Sequence, residues 1–244
     1  MGRFRLAAIA VIAWNALAQD STFRVEVKLV RLVATVKDAG GAPVGGLKKE
    51  DFSIFDDGAQ PQVALFERHT AQPLSIALLV DTSGSTSKEL KYEVESVGRF
   101  LKALFDEGNP DDALALYSFN WQVTREVDYS RSFGRFTKAM KSWKGEAGTS
   151  LYDGIFLASE DIQNRDGRHV VVVVTDGGDT VSNKTYHDAL RATHAADAVL
   201  YAILVMPITN DAGRNIGGEN ALSGLAASTG ESLFPRRAGD RYGV

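Results

Sequence analysis

The chain has 244 residues, 44% of them hydrophobic and 24% charged, a formal net charge of −4 and no cysteine. This suits a soluble globular protein of one large domain, or of one medium domain with a small companion. It excludes disulfides and thiolate metal sites, and with no basic run longer than Arg236-Arg237 it argues against nucleic acid as a partner.

Residues 1–18, "MGRFRLAAIAVIAWNALA", carry a basic start at Arg3 and Arg5, an apolar run from Leu6 to Trp14 and a small-x-small end at Ala16-Leu17-Ala18. That three-part pattern predicts a secretory signal peptide with a mature start at Gln19, and the run is too short to span a bilayer. The expected location is therefore secreted, periplasmic or in the cell envelope, with no transmembrane segment. Residues 19–72 read as a small antiparallel β segment. "FRVEVKL" alternates, "LVATV" follows, "DAGGAPVGG" breaks the chain, and "FSIF" and "VALFE" flank an Asp57-Gly58 turn. Asp56 and Asp57 are read as turn residues rather than ligands.

Residues 73–244 read differently. "LSIALLV" is a continuous apolar run, as in a strand buried on both faces. Residues 87–105 have helical spacing behind a capping-box match at Thr86 and Glu89. "ALALYSF" is the next strand, and "VTREV" is placed to pair with it across a turn at Asn120-Trp121. Residues 132–143 and 151–163 are predicted helices and "HVVVVV" a second buried strand. Residues 185–196 form a helix, "VLYAILV" a third buried strand, residues 219–228 a helix, and "SLF" starts a last strand. Buried strands alternating with amphipathic helices predict an α/β fold, a doubly wound and mainly parallel sheet flanked by helices.

In such sheets ligands sit beyond the carboxyl ends of the strands, where strand order reverses. Asp81 ends the first strand in "DTSGS", Asp176 ends another in "TDGGDT", and Thr149 lies between them in "AGTSLYDG". The G-x-S-x-G spacing of a nucleophile elbow is absent around these serines, and so is a Walker-type phosphate loop. "LLVDTSGST" looks like the active-site loop of aspartic proteases, but that chemistry needs two such aspartates on an all-β scaffold, and here a helix follows. A metal site uses every part. Asp81, Ser83 and Ser85 are spaced D-x-S-x-S, and hard cations take oxygen ligands and keep waters. Two carboxylates and three hydroxyls would hold Mg²⁺, Mn²⁺ or Ca²⁺ with a coordination position left open.

With these residues in order, the sequence resembles the von Willebrand factor type A domain with a metal-ion-dependent adhesion site, over roughly residues 74–235. The resemblance implies a Rossmann-like fold and a metal site at Asp81, Ser83, Ser85, Thr149 and Asp176. It implies that both serines and, with ligand bound, the threonine contact the ion, that the aspartates act largely through water, and that an acidic side chain of a partner completes the sphere. The "GLKKEDFSIFDDG" segment is similar to the one preceding this domain in secreted bacterial relatives. The family's last helix has no counterpart in "PRRAGDRYGV", so poor cover of the sheet's final edge is expected.

The remaining polar residues are read as structural. His187 and His194 lie seven apart on one helix face, too far apart for one small ion, and His169 precedes a strand. Asp179 is read as a turn residue. Asp153 either bonds near the site or caps its helix, and Trp121 and Trp143 are read as core or rim packing. The function expected is a secreted, non-enzymatic module that grips a Glu or Asp side chain of a protein ligand through a divalent cation. A metal-assisted hydrolase and a structural envelope protein with a vestigial site are the competing readings.

Overall fold

The structure is a computed structural model. It is described for residues 44–67, 72–84, 90–206 and 216–230, for scattered positions between 32 and 40, and for the backbone of 233–237. The expected signal peptide, the strand "FRVEVKL", the capping box at Thr86 and Glu89, and Ser85 lie outside the described residues. Contacts divide the chain into Met1–Leu32 and Val33–Val244.

Between residues 44 and 67 the chain makes a 3₁₀ turn at Lys49–Asp51 and a tight turn at Asp57-Gly58. Both turn residues have positive φ, 46° and 82°, which the Asp-Gly pair tolerates. Asp56 and Ala59 exchange backbone bonds of 2.8 and 2.9 Å across it. The pairing stops at that one Asp56–Ala59 bridge, and neither "FSIF" nor "VALFE" forms a strand. Phe52 and Phe66 meet instead through their rings, with centroids 5.4 Å apart.

The rest follows the predicted order. β1 (Leu74–Asp81), α1 (Leu90–Glu107), β2 (Ala113–Phe119), β3 (Val123–Ser130), α2 (Phe133–Met140) and α3 (Leu151–Ile162) come first. β4 (Arg168–Thr175), α4 (Tyr186–Ala195), β5 (Ala198–Met206), α5 (Ile216–Ser228) and β6 (Leu233–Arg237) complete the unit. They build one six-stranded sheet of order β3-β2-β1-β4-β5-β6, parallel except for β3, which returns antiparallel beside β2.

Alternation along β1 sorts its side chains into two layers. Ala77 and Leu79 join Tyr117, Val171 and Val173 under α3, α4 and α5. Ile76, Leu78 and Val80 join Leu116 and Val172 against Val97 and Leu101 of α1 and Phe136 of α2. Helix α3 comes close to β1 because Gly154 has no side chain, since a Cβ there would sit 3.0 Å from Leu79 Cδ2. Both core faces being apolar is why β1, β2, β4 and β5 read as unbroken hydrophobic runs.

Strand order reverses between β1 and β4: the chain leaves β1 towards β2 and leaves β4 towards β5. The carboxyl ends of these two strands therefore open onto the crevice where this architecture takes its ligands.

Candidate functional site

The β1–β4 register pairs Val80 with Val174, which sets Asp81 level with Thr175. Thr175 Oγ1 donates to Asp81 Oδ2 at 2.6 Å, and Ser83 N–H donates to Asp81 Oδ1 at 2.8 Å. The aspartate has no exposed surface. Burial is the largest influence on its carboxyl and raises its pKa to about 6. Bonds from Thr175 and Ser83 oppose the rise, and the nearby charge of Asp176 adds to it. A buried carboxylate at the carboxyl end of a central strand, next to a second acid, favours a cation beside it.

The Thr149 loop is strapped to this centre from two sides. Glu146 N–H donates to Thr82 O at 3.0 Å, and Ser83 and Glu146 form a parallel bridge. Ser150 N–H donates to Asn120 O at 2.6 Å, while Asn120 Nδ2 reaches Thr82 Oγ1 at 3.3 Å. On the far side Thr149 N–H donates to Thr180 Oγ1 at 2.8 Å, and Thr149 O accepts from the N–H groups of Thr180 and Val181 at 2.9 and 3.3 Å. The backbone of Thr149 is thus clamped between the β2–β3 turn and the loop after β4.

Asp153 and Asp179 complete the frame. Asp153 accepts from Asn183 N–H at 3.0 Å and from Lys184 N–H at 2.7 Å. It therefore holds the loop after β4 and does not cap its own helix. Asp179 accepts from Tyr152 N–H and Ser182 N–H, both at 3.3 Å, and Ser182 Oγ accepts from Asp153 N–H at 3.0 Å. These bonds satisfy the first-turn donors of α3 that its N-cap, Ser150, would ordinarily take. The Ser150 hydroxyl makes no capping bond; it is 1% exposed and has no hydrogen-bond partner.

Of the predicted site residues, Asp81, Ser83, Thr149 and Asp176 lie on these three linked loops, and Ser85 is outside the described residues. Thr175, Glu146, Asn120 and Thr180 position them and were not singled out from sequence. Gly218, at the start of α5, was also missed. A Cβ on it would fall 2.3 Å from Gly178 N and 2.8 Å from Gly177 C, so α5 rests on the backbone of the Asp176 loop. The tandem glycine in "IGGEN" was the available signal.

The histidines take structural places. His169 sits between the carbonyls of Ala196 and Arg165, at 2.6 and 2.7 Å, and His194 Nε2 lies 3.2 Å from Ser228 O. Trp143 packs on the α1–α2 core and donates to Glu126 Oε1, whereas Trp121 is exposed at the rim. Among the described residues no three His, Cys, Asp or Glu side chains gather around one point, so the candidate donors are hydroxyls and two acids. The donors fit a hard cation: all are oxygens, one is a buried carboxylate, and the buried Ser150 hydroxyl adjoining Thr149 has no internal bond to give up.

Residues 76–178 match the family model of the von Willebrand factor type A domain. This region is a von Willebrand factor type A domain. Solved structures of the same fold include the vWF domain of the type V pili tip protein Mfa5 from Porphyromonas gingivalis. It shares 12% identity over 69% of this chain and 91% of that one, with a TM-score of 0.55. The pilus adhesin SpaC from Lactobacillus rhamnosus GG is 13% identical over 68% of this chain and 28% of that one, at 0.53. A von Willebrand factor type A protein from Catenulispora acidiphila is 15% identical over 69% and 39%, at 0.52. This chain spans well under half of the last two, and 22% of a three-domain fragment of Mfa5. No curated protein matches the chain. Among the described residues no helix is long and apolar enough to cross a membrane.

Proposed function

We propose that the von Willebrand A domain is a protein-binding module, for adhesion or scaffolding, that holds an acidic side chain of its partner through a divalent cation. The observation that carries this reading is Asp81, a fully buried carboxylate at the strand-order switch with Asp176 beside it. Asp81, Ser83, Thr149 and Asp176, with Ser85 from the D-x-S-x-S spacing, would hold Mg²⁺, Mn²⁺ or Ca²⁺. When bound, the ion supplies positive charge and an open position to a carboxylate. The chain's own part is to keep the donors in register. Thr175 and the Ser83 N–H orient Asp81, and the clamps through Asn120, Glu146 and Thr180 fix the Thr149 loop.

The signal-like start supports an extracellular or envelope location, and the pilus proteins among the similar folds support an adhesive role. Titration calorimetry with Mg²⁺ tests the ion. Weak binding is expected in the native sequence and none in Asp81→Ala, with the fold checked by circular dichroism. Thr149→Ala should keep most of the metal affinity and weaken capture of a carboxylate. Equal Mg²⁺ affinity in Asp81→Ala and the native protein would refute the site.

A further inference from the structure

The strap that holds the Thr149 loop also presents an apolar surface. Trp121 lies in the β2–β3 turn and is 57% exposed. Its indole N–H donates to Glu146 Oε2 at 2.9 Å, and Glu146 is in turn tied to Thr82 and Ser83 of the first loop. The side chain is thus held in place while much of its surface stays open, and its only polar atom is already bonded. On the other side of the loop Val181 is 46% exposed. Gly148 lies between the two. A Cβ on Gly148 would sit 3.2 Å from Trp121 Cα and Cβ and 3.3 Å from Val181 Cγ2. Gly148 has φ +87°, so the position favours glycine twice over, by conformation and by the close approach of both neighbours. The residue that follows it is Thr149.

The two apolar residues therefore straddle the loop that carries a candidate cation ligand, with the acids Glu146, Asp176 and Asp179 on the surrounding loops. Without an ion such a rim repels acidic peptides. With one, an acidic residue is drawn in, and a neighbouring apolar side chain of the same peptide reaches Trp121 and Val181. A tryptophan already fixed by a hydrogen bond loses little freedom on binding, which is the property of side chains that dominate protein interfaces.

We infer that Trp121 and Val181 form an apolar subsite beside the cation position, selecting partners that carry an aliphatic or aromatic side chain one or two residues from the acidic one. The inference rests on the cation reading above. The test uses synthetic capped peptides at millimolar concentration, followed by NMR titration of the ¹⁵N-labelled protein in Mg²⁺ and in EDTA. One peptide is Gly-Gly-Glu-Gly-Gly. Four others place Leu at each position before or after the Glu.

In Mg²⁺ at least one Leu peptide should bind about fivefold or more tightly than the all-glycine peptide, as partial burial of a leucine predicts. That gain should vanish in Trp121→Ala and shrink in Val181→Thr, a change that keeps the shape and adds a hydroxyl. All binding should be lost in EDTA. Mg²⁺-dependent binding with no gain from Leu, or a gain undiminished in both variants, would overturn the subsite and leave the cation reading intact. A gain that persists in EDTA would overturn its placement beside the ion. No binding of any peptide in Mg²⁺ would overturn the cation reading and the subsite with it.

Discussion

Replacing Asp81 with Asn should make the metal-free protein more stable at neutral pH and at the same time insensitive to Mg²⁺. The side chain keeps its shape and an acceptor oxygen, and loses the charge. In the native fold burial lifts the Asp81 pKa from the ordinary 3.8 to about 6. The folded state therefore holds this proton more tightly than the unfolded chain does. Between those two values the unfolded chain has released its proton and the folded protein has not, so stability falls as pH rises through the window. By linkage a difference of about 2 units corresponds to about 3 kcal/mol of destabilisation at neutral pH in the absence of metal, absent below the unfolded value. Urea unfolding followed by circular dichroism, in EDTA and from pH 4 to 8, gives the difference between Asp81→Asn and the native protein. That difference should be small near pH 4 and grow in favour of the variant towards pH 7. With Mg²⁺ present at neutral pH the native protein should recover stability and the variant should not, since a ligand stabilises only the state that binds it. A difference that stays flat from pH 4 to 8 in EDTA would show that Asp81 is not held in a carboxylate-disfavouring site, and the reasoning would fail.

Other substitutions read separate parts of the frame. Gly218→Ala should lower stability by about 1–3 kcal/mol in chemical unfolding, despite its better helix propensity, because its Cβ would meet Gly178 N at 2.3 Å. It should also weaken Mg²⁺ binding in calorimetry by displacing the Asp176 loop. Asp153→Ala removes the acceptor for the Asn183 and Lys184 N–H groups, so both amides should exchange with deuterium faster by NMR, with a loss of about 1–2 kcal/mol. Ser150→Ala removes a buried hydroxyl that has no partner. Its unfolding free energy in EDTA should therefore stay level or rise by about 1 kcal/mol, and a clear fall would disprove that account.

Four of the strands were legible because parallel strands covered on both faces leave continuous runs such as "HVVVVV", which little else in a soluble chain produces. β3 was legible for a different reason: it is an edge strand, exposed and alternating in "VTREV", one short turn after β2. The start of α5 was not. Gly217 and Gly218 weaken a helix reading, and the helix begins there, at Ile216, because only a residue without a side chain lets its first turn rest on Gly177 and Gly178. The β-rich reading of residues 44–67 found the turn at Asp57-Gly58 and missed its extent. A tight turn fixes two residues, and nothing in "FSIF" or "VALFE" sets how far pairing continues beyond it.

The site divides along the same line. Asp81 and Asp176 stood out because an acid that ends a buried apolar strand needs a reason to be there. Glu146, Asn120 and Thr180 did not, since each is an ordinary loop residue until the strand order brings it against a backbone group far away in sequence. Ser150 is the sharpest case. As an N-cap serine it looks fully explained by its helix, and only the arrival of Asp179 and Ser182 at the same N–H groups takes that explanation away. What remains is a buried hydroxyl beside Thr149 with no hydrogen-bond partner in the fold, a state that buried polar groups rarely keep.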